Sequence, residues 1–276
     1  MHNIALTWQQ SAALAGALFV IAFVLRQVAT RWTTAAFPFV AEIGMLSLLY
    51  ALWQLAGTLS LLGTNGAFAR ARWLVRVEHD LHLPSEARVQ HLVLHHPLLV
   101  QACNLYYASM HFGVLFVFLL WLFLRHRDDY RSVRLTLVLL TATCLVIQLV
   151  PVAPPRLLPA FVDTAAQYNQ SVYSLGLGTD QLSAMPSVHV GWAVLVAWAV
   201  IRLGRSRWRW LVVLHPLATV FVITATANHF WLDGLGAVAV LILCVGAQRF
   251  VRRLRSSHQR TPETDRADRQ AVAVLP

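Results

Sequence analysis

Seven separate apolar runs constrain this chain more than any other feature. They fall at about residues 11–28, 37–62, 104–124, 133–150, 188–203, 210–227 and 231–246. Several reach the roughly 20 residues needed to cross a hydrocarbon core as a helix. Lipid supplies no hydrogen bonds to a backbone, so a crossing segment must satisfy its own amides and carbonyls, and runs of this length do so as helices. The expected fold is therefore all-α, a polytopic membrane bundle with six or seven transmembrane helices. The count stays open because the first run either crosses or only anchors. The residues before it, Met1 to Gln10, lack the basic region of a signal peptide, so this run is expected to be retained. Charged residues make up 12% of the chain, about half the share usual in a soluble domain.

The formal charge is +10, and all 22 basic side chains other than histidine are arginine. In a soluble protein that excess would suggest nucleic acid. Here the arginines sit just beyond the apolar runs, which is the positive-inside pattern and implies no nucleic-acid partner. Arg125, Arg127, Arg131 and Arg134 follow the third run, Arg202, Arg205, Arg207 and Arg209 the fifth, and Arg249, Arg252, Arg253 and Arg255 the seventh. Span parity puts these three regions on one side, expected to be cytoplasmic. The loop at 151–186, with Arg156, and the turn at 228–230 then face outward. The stretch 65–99 is too polar to cross and reads as interfacial amphipathic helices on the outer face, although it carries four arginines. His91, His95 and His96 within it form no convincing metal set. Three parts are expected: 1–100 with the first spans and interfacial helices, 101–252 as the catalytic membrane core, and 253–276 as a disordered cytoplasmic tail. An all-arginine basic complement fits a GC-rich genome, and the plasma membrane of a bacterium is the expected location. The three cysteines have no metal-ligand or redox spacing.

Three short pieces land on the outer face. Pro154-Pro155-Arg156 follows the fourth run, Pro186-Ser187-Val188-His189 opens the fifth, and Asn228-His229 with Asp233 opens the seventh. Two crossings separate the second piece from the third, so the chain returns to the same face and Arg156, His189 and His229 can converge. Phosphoryl transfer needs oxygens held by arginine, hydroxyls or helix amides, a nucleophile at phosphorus, and an acid for the leaving alkoxide. His229 and Asp233 are four apart, one helical face if helix begins there. The carboxylate then fixes the ring tautomer and leaves the other nitrogen nucleophilic, the orienting logic of a triad. Ser187 stands where an N-cap would, presenting free amides to phosphate. His189 follows in the first turn, placed to serve as acid. On the third run Asn104, Tyr107 and His111 share one face. Tyr107 and His111, with Asn228, are candidates for a substrate pocket, although a helix-packing role explains the stripe equally. No role is assigned to Asp163 or Asp180.

These pieces resemble the motifs of the type 2 phosphatidic acid phosphatase and vanadium haloperoxidase superfamily. Pro186-Ser187-x-His189 and His229-x-x-x-Asp233 are similar to its second and third motifs, and Pro154-Pro155-Arg156 to a divergent first. Within it the chain looks most like the membrane branch of inositol phosphorylceramide synthases, which move a phosphoinositol headgroup between lipids. The resemblance covers roughly residues 100–247, with earlier spans matching only in hydropathy. It implies a lipid phosphatase or headgroup phosphotransferase at the extracytoplasmic leaflet, acting on a lipid phosphate or phospholipid with water, a polyol or a second lipid as acceptor. His229 would form a phosphohistidine, Asp233 would orient it, His189 would be the general acid, and Arg156 and Ser187 would bind phosphate, with no metal or other cofactor.

The departures from the family pattern bear on substrate. Leu149 stands where the first motif has lysine and Leu157 where it has proline. Val222 and Ile223 replace the usual Ser-Arg ahead of the third motif. Thr224, Thr226 and Asn228 are expected to supply neutral donors instead, which bind phosphate charge less strongly than cations. That favours a phosphodiester over a dianionic monoester. Two other classes remain as alternatives, a non-catalytic membrane scaffold and a transporter. The second would more often show paired repeats and broken helices in both halves, and neither is seen. A vanadate-dependent peroxidase would carry a fuller basic ligand set.

Overall fold

The structure, a computed structural model, describes residues 6–28, 30–57, 65–171 and 181–272, with backbone alone over 257–272. Its helices are α1 (Trp8–Val28), α2 (Arg31–Gly57), α3 (Ala67–Asp80), α4 (Glu86–Leu94), α5 (Pro97–Arg125), α6 (Arg127–Gln148), α7 (Thr164–Gln167), α8 (Val188–Leu203), α9 (Leu214–Ala225) and α10 (Trp231–Val272). The protein is an all-α polytopic bundle, with no strand among the described residues. Among the described residues six helices are long and apolar enough to cross a membrane: α1, α2, α5, α6, α9 with the 3₁₀ run Arg207–Val213 that leads into it, and the first part of α10. The seventh apolar helix, α8, has only 16 residues. The end of the second apolar run, and Asp180 in the long loop, lie outside the described residues.

Helix α5 starts at Pro97, seven residues earlier than the apolar run suggests. Proline is preorganised for a first helical position, where its missing N–H is not needed. The interfacial stretch is correspondingly shorter, comprising α3 and α4. His91, His95 and His96 are exposed there.

The core lies where α5, α6, α8 and α10 meet, on Leu119, Leu122, Leu140, Cys144, Leu195, Ala199 and Leu241. Outward-facing side chains are as apolar as the core: Phe116, Val117, Ile242 and Leu243 are 64%, 65%, 65% and 70% exposed. A soluble protein rarely exposes such a belt, whereas in a membrane these residues face lipid. At α8 the packing is close. A Cβ on Gly191 would come within 3.2 Å of a Leu140 methyl and 3.5 Å of Ala237, so its missing side chain lets α6 and α10 approach α8.

The two ends of the bundle differ in kind. At one end α10 reaches α6 through Gln248, whose amide donates to Thr136 at 2.8 Å, and through Arg252 to Ser132. Arg209 donates to the Gly204 carbonyl at the same end, 2.6 Å away. There the arginine-rich termini collect. At the other end α3 and α4 lie over the start of α10 and beside α9 like a cover, held by the segment 151–171. Arg70 of α3 donates through Nε to the Pro151 carbonyl at 2.6 Å. Gln90 of α4 both donates to the Val162 carbonyl and accepts from its N–H, each at 2.9 Å.

Candidate active site

The covered end brings the three motif segments together. Helix α9 stops at Ala225, and Ala227 takes a left-handed conformation, φ 53°. Glycine is the usual residue at such a helix exit because a Cβ is strained there. The reversal turns the Asn228 and His229 amides back onto the Ile223 carbonyl, at 2.9 and 3.4 Å, and points the Ala227 carbonyl at Arg156 N–H, 2.8 Å away. Phe230, fully buried, then plugs a small apolar cluster of Ala67, Ala71 and Leu74 from α3 with Val152 and Ala184. His229 is thus pinned between a tight turn and a buried anchor.

Its ring orientation follows from its acceptors. Nδ1 lies 2.7 Å from the Ala184 carbonyl and 3.4 Å from Asp233 Oδ2. A carbonyl cannot donate, so Nδ1 carries the hydrogen and Nε2 holds the lone pair. That lone pair faces Nδ1 of His189 at 3.3 Å. Asp233 Oδ2 also accepts from Phe230 N–H at 2.8 Å, a reach back from the first turn to the residue before the helix. Oδ1 of Asp233 is buried without a hydrogen-bond partner among the described residues. The carboxylate therefore sits beside the His229 ring, while the shorter hydrogen bond goes to backbone.

Ser187 is fully buried and caps α8, its Oγ accepting from Val190 N–H at 3.5 Å and its own N–H donating to the Asp233 carbonyl at 2.9 Å. That last bond locks the start of α8 to the start of α10. His111 lies tilted against His189, ring centres 4.1 Å apart, and Tyr107 lies 4.9 Å from the same ring. His111 Nδ1 donates to the Tyr107 carbonyl at 2.9 Å, leaving its buried Nε2 without a hydrogen-bond partner among the described residues.

Arg156 sits on a 3₁₀ turn, Pro155–Leu157, and is 6% exposed. It donates to Asn228 Oδ1 at 3.0 Å, and its Nε lies 3.3 Å from Asp163 Oδ2. Arg156, Asn228 and Tyr107 line a small cleft with Asn104, Ala165, Gln170 and Ser171. Asn104, on the shared face of α5, donates to the Thr164 carbonyl and to Gln170 and accepts from the Thr164 hydroxyl, tying α5 to the loop above it. Of the neutral donors expected to replace the family's cations, only Asn228 faces the cleft. The Thr224 and Thr226 hydroxyls donate to the Val220 and Val222 carbonyls one turn back, a common use of hydroxyls within helices. Val222 and Ile223 are buried and apolar.

Two acidic residues of the cover were not singled out from the sequence. Glu78 and Glu86 are 3% and 5% exposed. Leu232 N–H donates to Glu78 Oε1 at 2.8 Å, and Trp231 N–H to Glu86 Oε1 at 3.3 Å. Their signal was positional. Ala67, Ala71, Leu74 and Glu78 share the buried face of α3, and Glu86, Gln90 and Val93 that of α4. An acid in the apolar register of an amphipathic helix needs a partner.

No curated protein and no solved structure matches the chain. A family model describing the PAP2 superfamily matches residues 72–247, well over half the chain and reaching back into α3, earlier than the motifs alone suggested. The chain belongs to the PAP2 superfamily, which agrees with its membrane-spanning helices and points to phosphoester chemistry.

Proposed function

We propose that the protein is an integral membrane enzyme that cleaves or transfers a lipid phosphate through a phosphohistidine on Nε2 of His229, without metal. Nε2 attacks phosphorus as the bond to the leaving oxygen breaks, and His189 delivers a proton to that oxygen. Water, a polyol or a second lipid then attacks phosphorus, gives its proton to His189, and the N–P bond breaks to restore His229. Arg156 holds phosphate oxygens, and Ser187 contributes through the α8 amides it caps. Tyr107, His111 and Asn228 shape the pocket.

The observation that carries this reading is the orientation of His229. Its Nδ1–H is committed to the Ala184 carbonyl beside Asp233, and Nε2 is aimed at a second histidine 3.3 Å away. A structural histidine has no need of a bare nitrogen turned toward another ring. Phosphorus enters between the two nitrogens, so the resting contact opens on binding. Arg156 shares its charge with Asp163, and the cleft around it is otherwise neutral. That balance suits one negative charge better than two and favours a phosphodiester headgroup. The arginine-rich end lies opposite the site, which supports an extracytoplasmic active site in a bacterial plasma membrane.

The test is release of phosphate or headgroup from a panel of lipid monoesters and diesters, with polyol acceptors, in detergent and excess EDTA. Wild type turns over, and His229→Ala falls at least roughly 10³-fold. Equal rates from the two proteins would remove His229 as nucleophile.

A further inference from the structure

The cover made by α3 and α4 does more than close the site. We propose that Glu78 and Glu86 are positioning residues, a buried carboxyl pair that grips the first two amides of α10 and so sets the angle at which His229 meets His189. A helix start leaves several N–H groups without partners inside the helix. At α10 these are satisfied by carboxyls from two other elements: Trp231 by Glu86, Leu232 by Glu78, while Asp233 reaches back to Phe230. Trp231 is held a second time, its ring N–H donating to the Pro84 carbonyl between α3 and α4 at 2.6 Å. His229 and Asp233 flank the gripped residues, so any shift of α10 against the cover moves both.

Three buried carboxyls around one helix start cannot all be ionised at low cost, even with the helix dipole in their favour. Glu78 resolves the conflict. Burial, then its hydrogen bond with Glu86, push its carboxyl up to about 9, with the charges of Glu86 from α4 and Asp233 from α10 acting in the same direction and the Leu232 amide opposing. On α3 itself the neighbouring His79 and Asp80 pair with each other in solvent. At neutral pH Glu78 is therefore a neutral acid, with a proton to offer toward Glu86. Its second oxygen is buried and finds no donor among the described residues, which suits it to carry that proton. Glutamine reproduces this arrangement: a carbonyl for Leu232 and an N–H for Glu86.

The sign of the pH effect follows. A carboxyl raised in the folded state favours that state below its ordinary value, near 4.5. The advantage is lost as pH climbs toward 9, where ionised Glu78 faces Glu86 and Asp233.

Two readouts test the pair in the full-length protein in detergent. The first, which rests on the proposed activity, is kcat against pH on a lipid phosphate. Glu78→Ala is expected to lose about 10²-fold in kcat with KM nearly unchanged, the scale of a small misplacement of reacting groups. Glu78→Gln restores most of the loss and also removes the wild type's fall in rate near pH 9. A Glu78→Gln enzyme that keeps that alkaline fall overturns the assignment. The second readout is independent of activity: hydrogen exchange of the segment 229–233, wild type against Glu78→Gln at matched pH. Wild-type exchange, relative to the glutamine variant, is expected to rise between pH 5 and 9 and then level. Parallel exchange across that range overturns the pair even in a protein with no turnover. Silence of wild type on every lipid phosphate, beside the expected exchange difference, would instead count against the proposed activity.

Discussion

Arg156 and Asp163 show how a single ion pair tunes what a phosphate site accepts. Nε of Arg156 is shared with a carboxylate that is itself fixed as the N-cap of α7, its other oxygen accepting from Ala166 N–H at 2.9 Å. An entering phosphate competes with Asp163 for the guanidinium. Asp163→Asn removes that competitor and keeps the cap, so KM for monoester substrates is expected to fall about 10-fold and for diesters by less, since one extra charge at a partly buried arginine is worth on the order of 1–2 kcal/mol. Initial rates on a matched monoester and diester measure the ratio, and no change in it would show that Asp163 does not face the phosphate. At this scale the sequence was unevenly legible. The pairing of His229 with Asp233 could be read from their spacing of four, although the helix starts only at Trp231 and His229 stands before it. The Ala184 carbonyl that takes the Nδ1 hydrogen could not, because backbone acceptors leave no trace in side-chain identity. Asp163 was visible but unassignable without the turn that brings it to Arg156. Glu78 and Glu86 are intermediate cases, detectable once α3 and α4 are placed in register.

Among the elements, the contact of α8 with α6 and α10 decides whether the two histidines meet, since His189 rides on one helix and His229 leads into another. Gly191 stands at that contact, two residues after His189, with α6 and α10 both near its missing side chain. Gly191→Ala needs Leu140 to move by a few tenths of an ångström and is expected to cost under about 1 kcal/mol. Gly191→Leu overpacks the junction, at roughly 1–3 kcal/mol, and is expected to lower activity about 10²-fold in folded protein by parting the rings. Thermal unfolding beside turnover separates the two effects, and full activity in Gly191→Leu would mean that the junction does not set the ring spacing. The long helices were legible because hydrocarbon length imposes itself on apolar runs. Their starts were less so: α5 begins at Pro97, since capping and proline geometry, not hydropathy, choose a helix start. The role of α3 and α4 as a cover was beyond reach, because amphipathicity says that a face is buried but not against what.

Seen as one molecule, the bundle has a thin place. At about 1.5 Å per residue the 16 residues of α8 span roughly 24 Å, short of a hydrocarbon core of about 30 Å. Irregular polar backbone is tolerated at such depth only when protein encloses it, and here α3, α4 and the segment 151–171 pack together at the mouth of the bundle. His189 stands in the first turn of this short helix, with His229 against it. For a lipid substrate this has a kinetic consequence. On the proposed activity, the scissile phosphate would reach His229 by sideways diffusion within the bilayer, without passing through bulk water. The rate should then follow the substrate's mole fraction in the surface, so that adding inert detergent at constant total substrate slows the enzyme, while adding detergent and substrate together in fixed ratio leaves it unchanged. A rate set by total concentration alone would place the reaction in the aqueous phase. Proteins that draw substrate from the bilayer sense crowding in two dimensions, and their effective affinity is a property of the membrane's composition as much as of their own residues.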